Sequence, residues 1–406
     1  MKICIIGGGM AGIICAITAA ANPENKITIY ERQSSIGKKI AITGNGKCNL
    51  SNINVRDVSR FSSFDTDILK SLAADFDNDS CQAFYESIGI HTTYSRGGMY
   101  PLCGHAGSVV TMLNNRLSEL GVRVVTDIYI DNIKESAGSY IVNNEKYDAV
   151  VLAFGGKAGI YGENSSCGIE IIKGLELTGV RPSPALTGII CKGDMKAVSG
   201  VRTHATVSLY DGDTYIYSDE GELQLADNGL SGIPIFNLTN HLPYNMGPDN
   251  DLKIYVDFAP EIIKEKLLEI FSECKRSYPD RSMSMVMLGI MNGKLAGYIL
   301  ETAGIDGDKA IKNMDDTAIN NLVDLIKNHV FIYDSLRNYK NAQVMRGGVR
   351  LTEITGNYES KNYPGIFMIG EMLDISGECG GYNLYFAYHS GRVVGDLLAN
   401  NTKVKN

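Results

Sequence analysis

The chain has 406 residues, 44% of them apolar and 21% charged, with a formal charge of −8 and 44 glycines. A single core of about 150 residues cannot account for that length, so two or three domains are expected. An acidic balance without a long basic run excludes nucleic acid as the expected main partner, while glycine well above the usual ~7% points to many special turns.

The first element is the apolar strand "KICIIG", which runs into a glycine turn and an Ala-rich helix ending near Asn22-Pro23. The strand "KITIYE" follows at once, so residues 2–31 form a compact βαβ unit. "KICIIGGGMAGIICAITAAA" is apolar enough to imitate a secretory segment, but three consecutive glycines interrupt it and a single lysine precedes them. No other stretch offers the roughly 18 unbroken apolar residues of a membrane span. Beyond the segment "AITGNGKCNLSN" come helical stretches at 65–88 and 106–120, the strand-like "GVRVVTDIYIDNI", and "YDAVVLAFGG", a strand apolar almost without alternation and therefore buried.

Composition shifts near residue 188. "THATVSLYDGDTYIYSDEGELQL" alternates and turns at Asp211-Gly212, the pattern of antiparallel hairpins. Pro260 suits the first position of a helix "PEIIKEKLLEIFSEC", and 283–328 reads as mainly helical, with Met283, Met285, Met287 and Met291 as core filling. From 343 the character reverts: "GIFMIGEMLD" is a strand ending in Gly-Glu, and "GGYNLYFAYHSGRVVGDLLAN" is a glycine turn opening a helix. The two ends resemble each other more than either resembles the middle. The expected class is α/β, a discontinuous Rossmann-like domain (1–187 and 343–406) with an inserted β-rich domain (188–258 plus about 329–342) and an inserted helical domain (259–328).

The nine cysteines (Cys4, Cys15, Cys48, Cys81, Cys103, Cys167, Cys191, Cys274, Cys379) form an odd set without a C-x-x-C pair. Free thiols in a cytoplasmic protein fit that pattern better than disulfides or a metal site, and no metal is expected.

Gly7-Gly8-Gly9-Met10-Ala11-Gly12 matches G-x-G-x-x-G between a strand and a helix. Gly7 permits the tight turn, Gly9 lets backbone approach a pyrophosphate, Gly12 lets the helix pack on the sheet, and the helix N-terminus offers free N–H groups. Glu31 ends the second strand, where a carboxylate accepts from ribose hydroxyls. A single fingerprint favours FAD over separate FAD and NAD domains. FAD spanning N- and C-terminal elements also explains why glycine-rich segments recur at 37–46, 153–156, 370 and 380–381.

"GGGMAG", "GKKIAITGNGKCNLSN", "VVLAFGGK", "GLSGIP", "GIFMIGEMLDISGECGGYNL" and "AYHSG", in this order, resemble the BaiN-like or YhiN-type FAD-dependent oxidoreductases, which include aminoacetone oxidases. The likeness runs from residue 1 to about 400 and implies a Rossmann-like FAD domain interrupted by β-rich and helical domains. It implies that Gly7, Gly9, Met10, Ala11 and Gly12 meet the pyrophosphate, that Glu31 and Arg32 meet the adenosine end, and that Gly37, Lys38 and Lys39 lie near the nucleotide. Thr43, Gly44, Asn45, Gly46, Cys48, Asn49 and Asn52 would run along the flavin, Ile130 would meet adenine, and Ala153, Gly155 and Gly156 would close the pocket. Gly370 and Glu371 would hold the ribityl or pyrophosphate portion, and Gly380, Gly381, Asn383 and Leu384 would face the isoalloxazine. Two positions depart from the family pattern: Lys47 stands where arginine is commoner, and Asn45 replaces a common glycine.

A helix opened by Gly380 and Gly381 under the flavin would aim its amides at the ring and stabilise the reduced form's negative charge. Tyr382 is the candidate catalytic residue, as proton donor or substrate orienter, against simple packing at a helix start. Cys48 and Cys379 read as inert thiols and His105 as a helix-start residue.

The expected function is hydride transfer between FAD and a small organic substrate, with NADH or NADPH as transient donor for reduction of a conjugated carbon–carbon double bond. An amine oxidase returning electrons to oxygen and a non-catalytic flavin-binding regulator are the alternatives. No membrane partner is expected, and the residues leave the oligomeric state open.

Overall fold

The computed structural model describes residues 1–159, 168–246 and 250–400; Cys167 lies outside them. The chain divides into two compact units, Met1–Ala185 with the segment from Asn338 onward, and Leu186–Arg337.

In the first unit, β1 (Lys2–Ile6), α1 (Met10–Ala19) and β2 (Lys26–Tyr30) form the expected βαβ unit. Both strands belong to a five-stranded parallel sheet in the order Ile366–Met368, Ala149–Leu152, β1, β2, Arg123–Val125. Strand order reverses between β1 and Ala149–Leu152, and at such a switch point an open α/β sheet leaves a crevice beyond its carboxyl ends. Ala149–Leu152 is buried along its whole length, as its unbroken apolar sequence requires.

The C-terminal helix Tyr382–Asn400 lies against α1. Two small residues one turn apart make the fit: a Cβ on Gly391 would sit 2.4 Å from the Ala11 carbonyl oxygen, and one on Gly395 would sit 2.5 Å from Cβ of Thr18. The face of this helix that carries Tyr385, Phe386 and His389 is buried in an aromatic layer with Phe76 and Tyr358.

The second unit is a closed barrel of the strands Ile189–Cys191, Gly229–Gly232, Thr214–Ala226, Arg202–Asp211, Leu252–Asp257 and His329–Leu336. Its longest hairpin pairs Asp211 with Thr214 across the expected turn. Helices Lys264–Ser277, Met283–Leu288, Gly293–Thr302 and Asp316–Lys327 share one hydrophobic core with the barrel. Met283 and Met287 fill that core, whereas Met285 is exposed.

Three local expectations are corrected. The stretch 65–88 is two helices, Thr66–Ala73 and Asn78–Ser87, because the Asp77 carboxylate accepts from the Ser80 amide and caps a new start. "GVRVVTDIYIDNI" holds a strand only at Arg123–Val125, for Asp127 adopts a left-handed φ of +57° and turns the chain away. Pro260 lies in a turn, and the helix begins at Lys264. Among the described residues no helix is long and apolar enough to cross a membrane.

Candidate active site

At the end of β1 the chain turns sharply at Gly7, whose φ is +116° and whose added Cβ would lie 2.2 Å from the Ala153 carbonyl oxygen. No side chain fits there. A Cβ on Gly12 would meet the Gly7 carbonyl oxygen at 2.1 Å, so α1 rests on the turn that starts it. Gly9 differs: nothing lies within 4 Å of its Cβ position. No side chain caps α1, which leaves its first N–H groups without a side-chain acceptor beside that open space, and Met10 and Ala11 are buried.

The Glu31 carboxylate accepts from the amides of Gly8 and Gln33, each at 2.8 Å, and so ties the glycine turn to the end of β2. Glu31 and Arg32 line a cleft of about 400 Å³, open to solvent, with Gly7, Ile130, Tyr129 and Phe154 among its other walls. Ile130 lines the cleft after the strand Arg123–Val125 has ended.

A second group forms around Glu371. Lys39 Nζ bonds its Oε2 at 2.6 Å, and the Met345 amide donates to its Oε1 at 2.9 Å. Gly156 packs against this carboxylate and Gly155 stands nearby. Gly370 abuts Ala11 of α1, and its amide donates to Ser390 Oγ on the C-terminal helix. Lys38 points elsewhere, to Ser34 and Gln33, while the left-handed Gly37 packs against Val110.

The third group joins the two ends of the chain. Residues 43–48 fold as a tight coil in which Gly44, Asn45, Gly46 and Cys48 all have positive φ. Asn45 takes a left-handed turn of the kind glycine adopts, at φ +54°. Thr43 Oγ1 donates to the Ile40 carbonyl, closing the coil. Asn52 Nδ2 donates to the Gly380 carbonyl at 2.8 Å. Gly381, at φ +104°, brings backbone so close to Ser51 and Asn49 that a Cβ would meet the Ser51 carbonyl oxygen at 2.3 Å. Asn49 Oδ1 is buried there without a hydrogen-bond partner. The Asn383 side chain bonds the Gly377 amide and carbonyl and fixes the loop before the helix, and Leu384 packs half-buried on the core.

Tyr382 is 3% exposed, its ring stands edge to face against Phe61 at 5.5 Å, and burial raises its hydroxyl above the ordinary tyrosine range. This geometry supports packing over proton donation. Burial also pushes the Cys48 thiol up to about 11, which makes it inert. Cys379 is half-buried, and His105 caps the helix Ala106–Glu119 by accepting from the Ser108 amide.

The residues present fit an extended dinucleotide carrying a flavin. Open space before uncapped amides suits a pyrophosphate, a carboxylate beside a cleft suits a ribose, and the orphaned Asn49 oxygen suits a ring N–H. Sequence reasoning missed Arg60 and Glu378, which pair at 2.8 Å beside Tyr382, and the backbone contact of Met345. No motif marks Arg60. The Gly391 and Gly395 spacing was a signal available for the helix contact.

The chain matches the HI0933-like protein Rossmann domain over residues 1–397. It is 31% identical over 405 residues to the 3-dehydro-bile acid Δ(4,6)-reductase of Clostridium scindens, covering 98% of this chain and 99% of that one. It is 25% identical to the ribosomal RNA dihydrouridine synthase of Haemophilus influenzae, covering 95% of each. Among solved structures, a 3-ketosteroid-Δ4-(5α)-dehydrogenase from Rhodococcus jostii RHA1 shares 14% identity at a TM-score of 0.49, covering 98% and 97%. The chain thus belongs to the HI0933-like Rossmann family and is a FAD-dependent oxidoreductase of the BaiN and YhiN type.

Proposed function

We propose that the protein reduces a carbon–carbon double bond conjugated to a carbonyl in a small apolar or amphipathic substrate, with NADH or NADPH as transient electron donor. The observation that carries this reading is the end-to-end identity of 31% with a protein named as a reductase of such a bond. The second relative's name also describes reduction of a double bond conjugated to a carbonyl, in uridine. A net charge of −8 favours a small substrate over RNA for this chain, and free thiols favour a cytoplasmic setting.

Bound FAD supplies the hydride-carrying centre. In this reading the amides after Gly9 neutralise the pyrophosphate, with Gly7 and Gly12 shaping the turn, and Glu31, Arg32 and Ile130 receive the adenosine. Lys39 and Glu371 hold the middle of the cofactor against Gly155, Gly156 and Gly370. Asn49, Asn52, Gly380 and Gly381 orient the ring, and the start of the C-terminal helix favours negative charge there.

The test is anaerobic. The purified protein is expected to be yellow, to bleach with NADH or NADPH, and to regain its colour when a cyclic enone such as 2-cyclohexenone or a 4-en-3-one steroid is added. A flavin that neither nicotinamide reduces, but that an amine reduces and oxygen reoxidises with release of peroxide, would move the protein to the amine oxidases.

A further inference from the structure

We propose that Arg60 is the carbonyl-binding residue of this reaction, held in place by Glu378. The inference rests on the reductase reading above. Strand Phe61–Ser62 pairs with Ser376–Gly377, and the Glu378 amide donates to the Arg60 carbonyl at 2.9 Å, so Arg60 is strapped to the loop that leads into Gly380 and Gly381. The Glu378 side chain is only 3% exposed and accepts from Arg60 Nη1 at 2.8 Å. Nε is buried and pairs with Asp57 Oδ2 at 3.4 Å, while Asp57 Oδ1 accepts from the amide and hydroxyl of Ser59. The Arg60 side chain nevertheless remains 41% exposed, so a cation fixed by carboxylates is still open to solvent.

A purely structural partner for Glu378 would have no use for that exposure. A substrate carbonyl would use it. Hydride addition to the β carbon of an enone breaks the C=C π bond, forms a C–H bond and moves an electron pair onto the carbonyl oxygen. The resulting enolate is closed by a proton from solvent at the α carbon, and the two electrons come from reduced nicotinamide by way of the bound cofactor. A guanidinium already oriented before the reaction stabilises that oxygen as its charge develops. The Glu378 hydrogen bond holds Arg60 even further above the ordinary arginine range, so it acts as a permanent cation and not as the proton source.

The experiment uses the holoenzyme reduced with one equivalent of dithionite and mixed without air with 2-cyclohexenone or a 4-en-3-one steroid, following flavin absorbance. Arg60→Gln is expected to slow reoxidation by enone on the order of 100-fold, the scale of losing one preorganised donor, while reoxidation by ferricyanide is unchanged. Arg60→Lys keeps the charge and is expected to recover part of the rate. The double variant Arg60→Gln/Glu378→Gln removes both charges, which guards against misfolding from an unpaired buried carboxylate, and is expected to be as slow as the single one. Binding of 4-hydroxybenzaldehyde, whose phenolate imitates an enolate oxygen, is expected to weaken at least ~10-fold in both neutral variants, matching the loss of a charged hydrogen bond. Neutral variants that hold FAD and react with enone at the wild-type rate overturn the assignment and leave the reductase reading intact. Reduced wild type that no enone reoxidises overturns the reading itself, and the assignment with it.

Discussion

Gly7 and Gly9 stand two residues apart in one motif, yet the geometry gives them opposite duties. Gly7 combines a left-handed φ with a carbonyl oxygen 2.2 Å from its absent Cβ, so Gly7→Ala is expected to cost about 2–4 kcal/mol of fold stability, strain and clash together. Gly9 has φ −83° and no neighbour within 4 Å, so Gly9→Ala is expected to leave the apoprotein's stability within about 0.5 kcal/mol while weakening FAD binding at least ~10-fold. Urea melts of the apoproteins and titration with FAD separate the two; equal loss of stability would remove the division of labour. Another residue reports on pH. Burial lowers His389 from 6.5 to about 4, with the Phe76 ring 4.7 Å away. Below 6.5 the unfolded chain takes up a proton that the folded one refuses, so this contribution is whole above 6.5 and falls by about 3 kcal/mol as pH drops to 4. His389→Phe is expected to lessen the fall of Tm between those two values, to which His329, lowered by burial to about 4 as well, also contributes, and an unchanged slope would show that His389 has no part in it.

At the scale of elements, the contact between α1 and the C-terminal helix sets where the glycine turn sits. Helix propensity says that Gly391→Ala should stabilise by about 1 kcal/mol. The Ala11 carbonyl oxygen, 2.4 Å from the new Cβ, says that the helices must separate, at a net cost of about 1–3 kcal/mol. The sign of the change, read from a chemical melt, decides between them, and destabilisation with weaker FAD retention is expected. This contrast also marks what the sequence could reveal. The βαβ unit and its glycines were legible because each glycine answers a local demand of turn or close approach. Asp77 as a helix cap and Asp127 as a strand breaker depend on single side chains inside otherwise continuous patterns, so the pattern hid them. Arg60 and Glu378 lie 318 positions apart, and only the pairing of Phe61–Ser62 with Ser376–Gly377 makes them neighbours. Tyr382 drew notice by its place at a helix start, where the surrounding aromatic layer, invisible locally, buries it.

At the scale of the whole chain, the connections between the units are the informative feature. The segment 186–337 leaves the first unit and returns to it between residues that pair as neighbours, Ala185 with Val344 in the strands Gly179–Ala185 and Val344–Val349. On its own side, the same segment enters and leaves the barrel through Ile189 and Leu336, which also pair. An insertion with adjacent ends and its own hydrophobic core can be removed without pulling the remaining strands apart, because paired residues lie only about 5 Å from each other. Fusing Ala185 directly to Asn338 keeps 338–343 as the loop of a hairpin. Every residue assigned above to the cofactor then remains, from Gly7 through Asn52 to Gly381. The fused protein is expected to fold, with the circular dichroism of a mixed parallel sheet, and to bind FAD within about 10-fold of the full chain's affinity, the ~1.4 kcal/mol left for small adjustments at the new loop. Folded but colourless material, unable to take up added FAD, would put an indispensable part of the cofactor's grip in residues 186–337.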